Sequence, residues 1–113
     1  MSLRYQIAQK VHACTERFAD RENDRVHDLI DLQLMEELIE QHDRVKQACV
    51  EVFALRATHP WAPTMTIEPN WPNTYATLAI ELDFPVTDVA DAAARVQALI
   101  DTIDHAETAD RPR

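Results

Sequence analysis

Lys10, Asp28 and Asp31 are the residues whose types and spacing could do chemistry. Asp28 and Asp31 stand three apart, which makes them neighbours on one face if the segment is helical. A lysine brought against them forms an ion cluster, and such a cluster can fix the register of two packed helices. The same two carboxylates could join a magnesium site. Mg²⁺ keeps several waters and is usually shared with substrate phosphate, and this pair offers it at most two protein ligands.

Two helices have to position these groups. Ile7, Val11, Cys14 and Phe18 recur at helical spacing, which predicts a first helix over about 3–19 with Lys10 at the edge of the apolar stripe, beside Leu3 and Cys14. Residues 20–25, DRENDR, read as an exposed polar turn with Asn23 or Asp24 capping the next helix. That second helix, over about 25–41, is apolar nearly all round through Leu29, Ile30, Leu32, Leu34, Met35, Leu38 and Ile39. It is expected at the centre of the core, with Asp28 and Asp31 at least partly buried. In a helical hairpin turning near Arg21, residues equally far from the turn face each other, so Lys10 lies opposite Asp31 and one turn from Asp28.

The remaining chain supports this hairpin. A third helix is expected over about 43–58, with Val45, Ala48, Cys49, Val52 and Phe53 inward, followed by a loop punctuated by Pro60 and Pro63. Pro72 suits the first turn of a fourth helix in which Tyr75, Leu78, Ala79 and Leu82 recur. The alternative, a strand over 76–82, has no partner strand. The fifth helix spans about 87–106, with Thr87 or Asp88 as cap and Val89, Ala93, Val96, Ile100 and Ile103 inward. With 0 glycine the chain lacks the usual residue of tight hairpin turns. The expected fold is all-α: a compact bundle of about five helices, one domain over 1–107, with 108–113 frayed.

Composition removes several functions. The net charge of −9 disfavours nonspecific nucleic-acid binding by the chain alone, and Arg44, Lys46 and Arg56 in the least acidic stretch are too sparse for a phosphate footprint. His12, His27, His42, His59 and His105 show no HxxxH or HExxH spacing, and Cys14 and Cys49 form no CxxC pair, so no zinc site is expected. Both cysteines fall on apolar faces, as inert core thiols do. No GxSxG-type nucleophile motif is present, and without glycine no phosphate-cradling loop forms. No apolar run is long enough to span a membrane or to serve as a signal peptide, which predicts a cytoplasmic protein. Trp61 and Trp71 flank the proline-rich loop, where they either pin it to the helices or offer a stacking surface.

The run Gln6-Ile7-Ala8-Gln9-Lys10-Val11-His12-Ala13, then a polar turn and Asp28-Leu29-Ile30-Asp31-Leu32, resembles the third and fourth motifs of the AbiEii/AbiGii-type nucleotidyltransferase toxins. The similarity extends to Phe53–Trp61 and to Trp71 with Tyr75. In that family a lysine on one helix and an RDxxDL-like segment on the next complete the catalytic site, which implies catalytic roles for Lys10, Asp28 and Asp31. The arginine that usually precedes the first acid is His27 here, with Arg25 two residues earlier. The family's glycine-serine turn and Asp-x-Asp pair, which hold metal and nucleoside triphosphate, have no counterpart in a chain without glycine. The resemblance therefore implies the helical half of such a protein, a remnant, fragment or split half. A complete protein would use Mg²⁺ and a nucleoside triphosphate to modify an acceptor, often transfer RNA. The isolated half is expected to hold no cofactor and to be inactive alone, and to associate with itself or with the missing half. The competing expectation is a small helical interaction module in which the same residues are structural.

Overall fold

The computed structural model describes residues 2–106, so the fraying expected for 108–113 lies outside the described residues. Five helices follow one another: α1 (Leu3–Thr15), α2 (His27–Glu36), α3 (His42–Arg56), α4 (Trp71–Glu81) and α5 (Val89–Asp104). No strand occurs among the described residues, and the 76–82 stretch lies in or against the end of α4. The all-α bundle read from periodicity is the fold.

Each helix buries one stripe. Ile7, Val11 and Cys14 of α1 meet Leu29, Ile30 and Leu32 of α2, and Ala48, Cys49, Val52 and Phe53 of α3 join the same core. Trp71, Tyr75 and Ala79 of α4 and Val96, Leu99, Ile100 and Ile103 of α5 complete it. The largest interface is between α1 and α3, while α2 is the element that touches α1, α4 and α5. The expectation that α2 lies at the centre of the core holds for its Leu29, Ile30 and Leu32 face, and α1 and α3 share that core. Leu34 on its far side is 52% exposed, and Leu38, just past its end, is 62% exposed.

The two hairpin helices are shorter than periodicity predicts. α1 stops at Thr15 rather than near Ala19, because the amide of Asn23 reaches back and donates to the carbonyls of Ala13 (2.8 Å) and Glu16 (2.7 Å). Those are C-terminal carbonyls with no helical partner, and the side chain satisfies them. α2 begins at His27 and tightens into i→i−3 hydrogen bonds at Leu38 and Ile39, so it ends before Gln41. Neither Asn23 nor Asp24 caps α2; Val26 holds that position without a side-chain cap. Asn23 is buried, not part of an exposed polar run. It also accepts from the backbone N–H of Arg25 (2.7 Å), while its own N–H donates to the buried Glu68 carboxylate (2.9 Å).

Other local signals hold. The Asp88 carboxylate accepts from the N–H of Ala90 at 2.7 Å, so of the two caps expected for α5, Thr87 or Asp88, it is Asp88 that serves, and Pro72 sits in the first turn of α4. At the end of α3 the left-handed position that glycine would fill is taken by Ala57, at φ 52° and ψ 32°, with its N–H on the carbonyl of Phe53. A Cβ there costs about 1 kcal/mol, and the reversal folds the next two residues back over α1.

Both tryptophans pin elements together. Trp71 is fully buried and its indole N–H donates to the carbonyl of Asn23 at 2.7 Å, so it has no face open for stacking. Trp61 packs edge-on against Phe53 at 5.4 Å between centroids and donates to Asp104 at 3.0 Å. Cys14 and Cys49 are free, buried thiols.

Candidate functional site

α1 and α2 lie antiparallel, and the hairpin geometry brings Lys10 to both acids. Its ammonium donates to Asp31 Oδ2 at 2.9 Å and to Asp28 Oδ1 at 3.4 Å. The acids are not equivalent. The Asp28 side chain is 0% exposed and that of Asp31 38% exposed, with Lys10 between them at 23%. Burial works against the charge of Lys10, but the Asp31 hydrogen bond and the charge of Asp28 outweigh it and hold the ammonium above the ordinary lysine range.

Asp28 has further partners that residue spacing along the sequence did not single out as one set. Arg25 donates through Nε to Oδ2 at 3.1 Å and through Nη2 to Oδ1 at 3.4 Å, and His27 Nε2 lies 3.4 Å from Oδ1. Asp28 is therefore ringed by positive or proton-bearing groups, as a wholly buried carboxylate must be. His27, Asp28 and Asp31 could each offer a ligand atom within a span of 4.8 Å. The fit to a resident dication is poor, because the Lys10 ammonium already bridges the two carboxylates and the guanidinium of Arg25 covers Asp28 as well.

Lys10 also borders a groove of about 710 Å³ along α1, within the roughly 300–1,000 Å³ range of small-molecule sites. Gln6, Gln9, Lys10 and Ala13, at positions i, i+3, i+4 and i+7 of α1, supply one side of it, and Phe18, Arg21, Asp24, Arg25 and Arg56 add to it from other segments.

At the α3 side of this groove two histidines are linked through hydroxyls. Thr15 donates to the carbonyl of Val11 at 2.7 Å, so its oxygen accepts from His59 Nε2 at 2.8 Å. A neutral His59 then carries its proton on Nε2, and its Nδ1 accepts from the Thr58 hydroxyl at 3.1 Å. Thr58 in turn accepts from His12 Nε2 at 2.9 Å. The hydrogen-bond chain fixes both tautomers as Nε2–H. The rings of His12, His59 and Phe53 pack together at 4.6–5.0 Å. Burial, then the neighbouring His59, lowers the pKa of His12, and burial lowers that of His59.

Residues 1–107 match the family model of the nucleotidyl transferase AbiEii toxin, type IV TA system. The chain belongs to the AbiEii family. A comparison with curated protein sequences finds no match. Against the AbiEii pattern, the position before the first acid is explained by geometry: His27 occupies it, and Arg25, earlier in the loop, delivers the guanidinium to Asp28 instead. No helix among the described residues is long and apolar enough to cross a membrane.

Proposed function

We propose that this chain is the helical half of an AbiEii-type nucleotidyltransferase centre, working in the cytoplasm with an element that supplies the glycine-serine turn and the Asp-x-Asp pair. The observation that carries the reading is the double engagement of Lys10, which pairs with both acids and borders the groove. In that centre Lys10 steadies phosphate. Asp31, part-exposed beside it, is the acid placed to assist an acceptor hydroxyl. Asp28 has no surface to offer a substrate, so it is a positioning residue that holds Lys10 and Arg25. Mg²⁺ and a nucleoside triphosphate enter with the missing element, where the metal supplies charge neutralisation on the phosphates. A second copy of this chain cannot complete the site, since it brings no glycine turn either.

One observation favours a purely structural helical module: a buried Asp28 flanked by Lys10 and Arg25 would fix helix register whether or not any substrate binds. Transfer of label from a nucleoside triphosphate to total transfer RNA, with Mg²⁺, separates the two. The chain alone is expected to incorporate nothing. Added to a polypeptide carrying the glycine-serine turn and Asp-x-Asp pair, it is expected to restore transfer that Lys10→Ala and Asp31→Asn abolish. Incorporation by the chain alone would refute the half-site, and an assembled pair that transfers nothing would leave the structural module as the better account.

A further inference from the structure

A second groove, of about 620 Å³, opens between α2 and the connection from α4 to α5, and it shares no residue with the one beside Lys10. Leu34 of α2, and Leu82, Phe84 and Val86 at and beyond the end of α4, make much of its lining apolar. Leu34 and Leu82 are exposed and stand outside the core. Three exposed carboxylates, Glu36, Glu37 and Asp83, join the lining against one cation, Arg95 of α5, and among the described residues none of the four is ion-paired. These acids stand where they cost stability. Glu36 ends α2 and Glu37 caps it; Glu81 ends α4 and Asp83 follows two residues on, while neither helix has a basic residue in its last turn. A helix C-terminus carries partial negative charge, so carboxylates there are repelled. The backbone holds Asp83 in that place: at φ 52° it turns the chain back, with its N–H on the carbonyl of Ile80 (3.1 Å) and that of Phe84 on the carbonyl of Ala79 (2.8 Å). Two negative helix ends thus converge on one apolar groove.

The occupant that fits is apolar along its middle and positive along both edges, because acids stand on the α2 wall and on the α4 wall alike. In an extended peptide successive side chains point to opposite faces, whereas a helix gathers positions i, i+3, i+4 and i+7 into one stripe with flanking residues on either side. We propose that this groove docks an amphipathic helix of another protein. Its apolar stripe lies on Leu34, Leu82 and Phe84, and its flanking lysines or arginines meet Glu36 and Glu37 along one edge and Asp83 along the other. Docking then neutralises the carboxylates at both helix ends. A second copy of this chain is a poor match, since face to face it repeats the same acids and each chain carries a net charge of −9. The inference rests on this groove alone and is independent of any role in nucleotidyl transfer.

A synthetic leucine–lysine amphipathic peptide of about four helical turns, labelled with fluorescein and titrated with the full chain, tests it by anisotropy, and amide chemical shifts of the isotope-labelled chain locate the contact. Saturable binding is expected, with the shifts gathered at residues 33–37 and 82–86. Leu34→Ser and Leu82→Ser should each weaken it roughly fivefold or more, part of what full burial of a leucine contributes. Glu36→Gln combined with Glu37→Gln should weaken it and flatten its dependence on salt. All four positions are exposed, so the variants should melt with the parent and their effects report on binding. A scrambled peptide of the same composition, its leucines spread around the helix, should bind far less; equal binding would show that charge alone is recognised and overturn the helix assignment. Displacement by spermine as effective as by unlabelled peptide would overturn it in favour of a small polycation. If the same amides shift when the chain alone is concentrated, and Leu34→Ser abolishes the effect, a second copy is the occupant and the partner assignment fails. Absent binding, or binding indifferent to every substitution, would overturn the site.

Discussion

Replacing Asp28 by alanine should destabilise the fold more than any other change in the ion cluster. The carboxylate is fully buried and holds Lys10 at 3.4 Å and Arg25 at 3.1 Å. Removing one partner of a buried pair typically costs about 3–5 kcal/mol, whereas an exposed pair is worth about 0–1 kcal/mol. Lys10 and Arg25 retain 23% and 44% side-chain exposure, so both can regain water when Asp28 is removed, which places the cost near the lower bound, about 3 kcal/mol. Asp31→Ala removes the shorter ion pair, 2.9 Å, but from a side chain 38% exposed, and should cost about 1 kcal/mol or less. Lys10→Ala falls between, since Arg25 still covers Asp28. Urea melts with unchanged m-values give the ranking directly, and with m of about 1–3 kcal/mol/M the Asp28→Ala midpoint should fall by about 1 M or more. In the double mutant of Lys10 and Asp28 the combined destabilisation should be less than additive, by about 0.5–3 kcal/mol. A cost for Asp28→Ala below about 1 kcal/mol, or below that of Asp31→Ala, would show that burial does not set the energetics of this cluster.

Two further outcomes follow from other parts of the structure. Asn23→Ala should cost about 2–4 kcal/mol, because it strips the Ala13 and Glu16 carbonyls and the Arg25 N–H of their partner at a buried position; a melt within about 1 kcal/mol of the parent, on the order of one ordinary hydrogen bond, would refute that role. His12 and His59 have pKa values below the ordinary 6.5, and they face each other with Glu16 and Arg56 nearby. As pH falls the unfolded chain therefore takes up protons first, so their contribution is full above about 6.5 and disappears as pH drops through the folded values. Melting midpoints should decline from about pH 7 toward about pH 5, and the decline should shrink in His59→Asn; a midpoint flat across that window would contradict the assignment.

Local pattern was enough to place the five helices, the Asp88 cap and the helical placement of Pro72, because each depends on a period or a residue type within a few positions. It was also enough for the Lys10–Asp28–Asp31 cluster: a short hairpin fixes which residues face each other, and the period does the rest. The helix ends were not legible. Asn23 terminates α1 from ten residues away through its side chain, and nothing in its neighbours distinguishes it from an ordinary turn asparagine. The groove and the His12–Thr58–His59–Thr15 chain were likewise decided by tertiary structure. Their members are separated by 44 and 46 residues, and they meet because α3 packs along α1 and Ala57 adopts a left-handed turn without glycine to signal it. Periodicity reports which face of a helix is buried; which distant face it meets depends on the packing of whole elements.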